Sequence, residues 1–100
     1  MLLTSCEEKN ELPEGFEHIS MDGRTHFVYV SEKFWGDRVK QKEAGRIICF
    51  KLYQHSDYCE VHFYSNKNDI PRKFPIINRT ESIGVYEIKN GKEVFKLLKG

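Results

Sequence analysis

The stretch 46–65, RIICFKLYQHSDYCEVHFYS, decides the predicted fold, because apolar residues alternate with other residues on both sides of a central polar turn. A tight turn at His55-Ser56 would fold the stretch into an antiparallel β-hairpin with one apolar face. The apolar cross-strand pairs would be Ile48–Phe63, Phe50–Val61 and Leu52–Cys59. The opposite face would carry Cys49–His62, Lys51–Glu60 and Tyr53–Tyr58.

Two flanking stretches predict further hairpins. Residues 16–31 contain Asp22-Gly23, and residues 82–100 contain Asn90-Gly91, which are dipeptides that favour type I′ turns. In the first hairpin, one face would carry Ile19, Met21, Val28 and Val30, and the other would carry Phe16, His18, Phe27 and Tyr29. In the second hairpin, Tyr86 would lie opposite Phe95, and Gly84 opposite Leu97.

The segment between the first two hairpins, residues 31–45, predicts one short helix over 37–44. Ser31 or Asp37 could cap its start, and Gly45 could end it. Residues 66–81 contain two prolines and predict a loop. The predicted fold class is therefore α+β and mainly antiparallel β, with about three β-hairpins and one short helix. The sheet would either pack on the helix or form a small open barrel.

Composition is that of one ordinary globular domain: 100 residues, 39% hydrophobic and 31% charged, with a formal net charge of +1. The predicted division is a tether over residues 1–15 and a single globular domain over 16–100. The tether carries four glutamates and one lysine, and it has too little apolar content to pack. The near-neutral charge exerts no overall attraction for nucleic acid or anionic lipid.

The four residues Leu3-Thr4-Ser5-Cys6 resemble the lipobox of bacterial lipoproteins. The resemblance implies that Cys6 is lipidated, that a signal peptide precedes it, and that the domain is anchored in the cell envelope. The acidic tether that follows suits a flexible spacer between membrane and domain. Only five residues precede Cys6, fewer than a signal peptide needs. The alternative is a cytoplasmic protein in which the first residues form an ordinary chain end.

The cysteines and histidines predict neither a metal site nor a cofactor site. Their spacing contains no CxxC, HxxxH or HExxH motif. On the predicted hairpin, Cys49 and Cys59 would point to opposite faces and could not form a disulfide. Two unpaired thiols would count against export. Cys49 beside His62 is a weak candidate for a thiolate–imidazolium pair without a third orienting residue, so the chain is not predicted to be an enzyme.

Binding is the predicted mode of action, as an inhibitor, an immunity or exclusion factor, or an accessory subunit of an envelope complex. Tyrosine, tryptophan and arginine usually carry interface energy. The expected partner-binding residues are Trp35, Tyr53, Tyr58, Tyr64, Arg72 and Lys73.

The alternative partner is single-stranded nucleic acid, bound by a cytoplasmic domain. Basic residues around the proline-containing loop, with aromatic side chains for stacking, would form that surface. These residues are Lys67, Arg72, Lys73, Arg79, Tyr58, Tyr64 and Phe74. No recognisable nucleic-acid motif accompanies them. The sequon Asn78-Arg79-Thr80 would matter only in a secreted eukaryotic protein.

Overall fold

The computed structural model describes residues 12–55, 57–72 and 82–98. They form an open five-stranded sheet in the order β1-β2-β3-β4-β5, with one helix packed on one face. The strands are β1 (Phe16–Asp22), β2 (Thr25–Val30), β3 (Tyr58–Tyr64), β4 (Gly84–Lys89) and β5 (Lys92–Leu97). Neighbouring strands are antiparallel except for the parallel pair β2–β3. The predicted α+β, mainly antiparallel class is confirmed, and the sheet is not closed into a barrel.

The helix, α1 (Arg38–Arg46), continues directly as the π-helical segment Ile47–Leu52. Asp37 caps its start, as predicted, because its carboxylate accepts a hydrogen bond from the backbone N–H of Lys40 at 3.0 Å. The buried side follows the helical repeat over two turns. Its buried residues are Gln41, Ala44, Gly45, Ile48 and Cys49.

The predicted hairpin over 46–65 is wrong, and the predicted helix end at 44 comes too early. Residues 47–52 belong to the helix, and only the second half of the stretch is a strand. Phe50, expected in the core, is 42% exposed because the helical repeat directs it outward. The helix also explains the parallel pairing, since two adjacent parallel strands need a long crossover connection between them.

The C-terminal hairpin is confirmed with its predicted register, since Tyr86 pairs with Phe95 and Gly84 with Leu97. Asn90 and Gly91 both adopt positive φ, at 52° and 80°, as a type I′ turn requires.

The N-terminal hairpin is also confirmed, but its register is shifted. The turn lies at Gly23-Arg24, because Asp22 pairs with Thr25, and the register changes again between His18 and Ser20. This irregularity places His18 opposite Val28, on the face that packs against the helix. Phe16 and His18 therefore share a face with Val28 and Val30, whereas the prediction placed them on the opposite face. A β-bulge shifts the register by one residue and so moves side chains from one face to the other.

Two buried clusters hold the domain together. The larger lies between the sheet and the helix, and includes Val28, Val61, Ile48 and Tyr86. The smaller lies on the other face, where Ile70 covers Phe27 and Tyr64. Among the described residues, no helix has the length and apolar character needed to cross a membrane.

Candidate functional site

A disulfide joins Cys49 to Cys59, contrary to the prediction from the sequence. The Cα atoms are 6.0 Å apart, and both side chains are fully buried. The prediction failed because it placed Cys49 on a strand paired with β3. On a helix lying over the sheet, Cys49 instead points down onto Cys59, whose side chain faces the helix. The bridge ties the C-terminal end of the helix to the sheet.

The predicted Cys49–His62 pair is not formed. The Cys49 sulfur is bonded to Cys59, and His62 lies on the opposite face of β3, where its ring stacks 5.7 Å from that of Phe27. The Nε2 atom of His62 is 2.9 Å from Oε1 of Glu60. Side chains alternate between the two faces along β3, and positions 59 and 62 are three residues apart. Cys59 therefore faces the helix, whereas His62 points to the other side of the sheet.

Three histidines and the disulfide form one cluster, which we call the histidine–disulfide cluster (His18, His26, His55, Cys49 and Cys59). His26, from β2, lies opposite Val61 in the parallel pair and faces the helix with Cys59. A ring nitrogen of His26, a ring nitrogen of His55 and the sulfur of Cys59 all lie within 4.8 Å of one another. The Nε2 atom of His18 is 3.1 Å from Nδ1 of His26.

The loop after the helix completes this cluster. Gln54 adopts a positive φ of 55°, which turns the chain back so that the N–H of His55 donates to the carbonyl of Cys49 at 2.6 Å. The ring of Tyr53 lies over the histidines, with centroid distances of 4.6 Å to His26 and 5.3 Å to His18. The cluster is therefore packed by aromatic carbon.

Burial keeps the histidines of the cluster neutral at pH 7. Burial lowers the pKa of His26 to about 4, and the neighbouring His18 and His55 add to the effect. Burial also lowers the pKa of His18, and burial together with the charge of Arg24 lowers the pKa of His55. Within the described residues, Nε2 of His26 and Nδ1 of His55 are buried without a hydrogen-bond partner. Neutral imidazole nitrogens with free lone pairs are potential metal ligands.

A second candidate site is an open groove of about 730 Å³ between α1 and β5, which we call the helix–β5 groove. Its lining residues are Arg38, Val39, Lys42, Glu43, Arg46 and Phe95. Val39 is 71% exposed, and the guanidinium of Arg38 lies 5.9 Å from the centre of the Phe95 ring. Three cationic side chains and one carboxylate give this apolar-floored groove a positive character.

An ion pair engages Arg46, one of the residues that line the groove. Arg46 donates from Nε and from one terminal nitrogen to the carboxylate of Glu93, at 2.8 and 3.0 Å. This bidentate bond lowers the pKa of Glu93. Lys42 and Arg38, which lie one and two helical turns before Arg46, supply the remaining positive charge.

The structure does not gather the predicted partner-binding aromatics on one surface. Trp35 is partly buried, with its indole N–H donating to the carbonyl of Val30 at 2.8 Å. Tyr53 covers the histidine–disulfide cluster. Tyr64 is only 3% exposed, so its side chain offers almost no surface to a binding protein.

The remaining predicted positions lie elsewhere. Tyr58, on the face of the sheet away from the helix, is 37% exposed. Arg72 is exposed at the end of the described loop, and Lys73 lies outside the described residues, as does Cys6. The sequon 78–80 is likewise outside them.

The proposed stacking surface for nucleic acid is also not assembled among the described residues. The Nζ atom of Lys67 is 2.8 Å from a carboxylate oxygen of Glu17 and 5.2 Å from the ring centre of Tyr29. Tyr64 is buried in the smaller cluster, with Phe27 and Ile70, and Tyr29 packs against that cluster. Residues 74 and 79 of that prediction lie outside the described residues.

A hydrogen-bonded row of side chains follows one face of β3. The hydroxyl of Tyr58 donates to the carboxylate of Glu60, whose other oxygen meets His62. The bond to Glu60 raises the pKa of Tyr58 to about 12. Burial opposes the ionisation of Glu60, but the bonds from Tyr58 and His62 outweigh it and lower its pKa. At neutral pH, Tyr58 is thus protonated and Glu60 is ionised.

Sequence reasoning missed the histidine–disulfide cluster. Its members come from β1, β2, the end of the helix, the following loop and β3, so their spacing follows no local motif. The helical spacing of 41, 44, 45, 48 and 49 was the available signal, because it identifies Cys49 as a core-facing helical residue.

No family model, no curated protein and no solved structure matches the chain.

Proposed function

We propose that the protein is a lipid-anchored envelope protein, attached through Cys6, that acts by binding a protein partner rather than by catalysis. The observation that carries the binding role is the helix–β5 groove. It combines the exposed side chain of Val39 and the partly buried ring of Phe95 with the guanidinium groups that favour protein interfaces. The partner that complements it is an acidic, extended segment of another envelope protein.

Charge and backbone together support this choice of partner. Arg38 and Lys42 favour carboxylates by Coulomb attraction. β5 is an edge strand with no described strand beyond it, so its outer backbone groups could pair with an extended segment along the groove. Phe95, which projects from β5 towards the helix, would lie beneath such a segment.

The disulfide supports the proposed compartment. Disulfides persist in oxidising environments such as the bacterial periplasm and are rare in the cytoplasm. The Cys49–Cys59 bond removes the two unpaired thiols that would have counted against export.

The anchor is tested on the product of the natural gene, by intact mass and membrane fractionation. We expect a mature chain that begins at Cys6, carries added acyl mass and sediments with membranes, whereas Cys6→Ala should leave an unmodified soluble chain. An unmodified wild-type chain that retains Met1 would overturn the lipid-anchored proposal.

The groove is tested by placing a photo-crosslinking amino acid at position 39 in the same cells. We expect a discrete crosslinked species that disappears in the double variant Arg38→Glu, Lys42→Glu. The matched control is Lys51→Glu with Lys89→Glu, which changes the charge equally at two exposed positions that do not line the groove. If both double variants crosslink as the parent does, the groove is not the binding surface.

A further inference from the structure

We propose that the reduced protein binds one Zn²⁺ ion through the sulfurs of Cys49 and Cys59 and one ring nitrogen each of His26 and His55. In this proposal the disulfide and the zinc ion are alternative occupants of one site. This site lies in the histidine–disulfide cluster and shares no residue with the helix–β5 groove.

The ligand atoms are already close together. The nitrogens of His26 and His55 and the sulfur of Cys59 lie within 4.8 Å of one another, and the sulfur of Cys49 is bonded to that of Cys59. With zinc–sulfur bonds of about 2.3 Å and zinc–nitrogen bonds of about 2.0 Å, tetrahedral ligands lie roughly 3.3–3.8 Å apart. Small side-chain movements would therefore suffice to close the site.

The orphaned nitrogens are an independent indication of a ligand. His26 is fully buried, yet its Nε2 has no partner, and neither has the buried Nδ1 of His55. Buried polar atoms are nearly always paired. Two unpartnered nitrogens beside a shared pair of sulfurs are what a metal site looks like when the sulfurs are engaged with each other.

The surroundings favour a closed zinc site. A ring nitrogen of His18 lies 3.1 Å from Nδ1 of His26, the position of the outer partner that usually orients a metal-bound imidazole. When Nδ1 of His26 donates to His18, Nε2 keeps its lone pair. Tyr53 packs over the rings of His18 and His26. Two thiolates and two imidazoles are a structural zinc set, and two thiolates balance the charge of Zn²⁺ in this buried place.

Oxidation state selects the occupant. A dithiol reductant breaks the S–S bond by two successive thiol–disulfide exchanges, which reduce Cys49 and Cys59 to thiols while the reductant becomes a disulfide. Zinc binding then releases the two thiol protons to solvent and involves no electron transfer. In the oxidised protein the sulfurs carry no thiolate charge, so the ion loses its two strongest ligands.

The test uses the full chain with Cys6→Ala, so that Cys49 and Cys59 are the only cysteines. Zinc is titrated in competition with a chromophoric chelator, in the absence of oxygen. The titration is done on the oxidised protein and on protein reduced by a phosphine. The phosphine is oxidised to its oxide, and water supplies the oxygen atom and the two thiol protons. We expect one zinc per reduced chain and at least 100-fold weaker binding by the oxidised chain. His55→Gln should weaken binding by the reduced chain at least tenfold.

The control variant is His62→Gln, which removes a histidine on the opposite face and should leave zinc affinity unchanged. His26→Gln provides a second ligand variant, and cobalt absorption bands report tetrahedral thiolate ligation directly. Zinc should also raise the urea midpoint of the reduced chain, since the ion binds the folded state. Equal affinities of the oxidised and reduced chains, unchanged binding by His55→Gln and His26→Gln, or a lowered urea midpoint would each overturn the proposal.

Discussion

Gly45 shows how closely the helix approaches the sheet. A Cβ atom at this position would lie 2.5–2.7 Å from atoms of the Tyr86 side chain, closer than packed carbon atoms allow. Glycine is therefore required here for space, although it is a poor helix former. The small residue lets the helix lie directly on the ring of a buried tyrosine in β4.

We expect Gly45→Ala to lower the free energy of unfolding by about 1–3 kcal/mol, because overpacking outweighs the gain in helix propensity. Urea denaturation followed by circular dichroism measures this. Val39→Ala, on the exposed side of the same helix, should change stability by less than about 0.5 kcal/mol. A Gly45→Ala protein as stable as wild type would mean that the helix and Tyr86 are less closely packed.

The hydroxyl of Tyr58 should resist ionisation. Its bond to the Glu60 carboxylate raises its pKa to about 12 from the ordinary value of 10.0, because the phenolate would face a carboxylate. The unfolded chain releases this proton first, so the contribution of Tyr58 to stability is lost as the pH rises from 10 towards 12.

An NMR titration of the tyrosine ring carbons up to about pH 11 tests this. The Tyr58 signal should move little in the wild type, whereas Glu60→Gln should bring its midpoint back towards 10.0. A midpoint near 10.0 in both proteins would show that the Tyr58–Glu60 bond does not form in solution.

At the scale of elements, the helix is stabilised by a cap at its start and by packing of its buried side against the sheet. Asp37 satisfies an N–H group of the first turn, and the buried stripe from Gln41 to Cys49 provides the contact with the sheet. The side-chain amide of Gln41 also donates hydrogen bonds to the carbonyls of Phe34 and Trp35, at 2.9 and 2.8 Å. These bonds fix the turn that leads from β2 into the helix.

We expect Asp37→Ala to lower the free energy of unfolding by about 1 kcal/mol, because it leaves the N–H of Lys40 without its acceptor. Asp37→Ser keeps a capping oxygen and should retain most of the stability. Thermal and urea unfolding of the three proteins would measure the difference. Equal losses in both variants would assign the effect to charge rather than to capping.

At the scale of the whole molecule, the disulfide links the helix to the middle of the sheet. The bridged cysteines are separated by 10 positions, so the bond restricts a short loop in the unfolded chain. We expect reduction in metal-free buffer with a chelator to lower the free energy of unfolding by about 2–4 kcal/mol. Denaturant titrations of the oxidised and reduced chains measure this. Identical midpoints would mean that the bond does not brace the fold.

The two sulfurs of this bond serve the fold in one oxidation state and the proposed zinc site in the other. In the oxidised protein the bond joins the helix to the sheet, and on reduction its sulfurs would become available to the zinc ion that we propose. The groove lies between the helix and β5, and none of its lining residues belongs to the cluster, so each can be altered without removing residues of the other.

Local chemistry by itself determined the class of the fold. The Asn90-Gly91 turn, the cap at Asp37 and the alternation along β4 and β5 each act within a few residues, so they could be predicted from sequence. The stretch 46–52 was ambiguous, because Ile48 and Leu52 fit both an alternating strand and a helical stripe. Only packing of the whole helix against the sheet resolves that ambiguity.

The candidate sites were decided by the tertiary structure. Cys49 meets Cys59 because residues 47–52 are helical, and His26 joins them because β2 and β3 are parallel neighbours. The groove likewise exists only where the helix lies beside β5. These contacts join residues distant in sequence, and their geometry depends on how the elements pack, which short-range patterns do not encode.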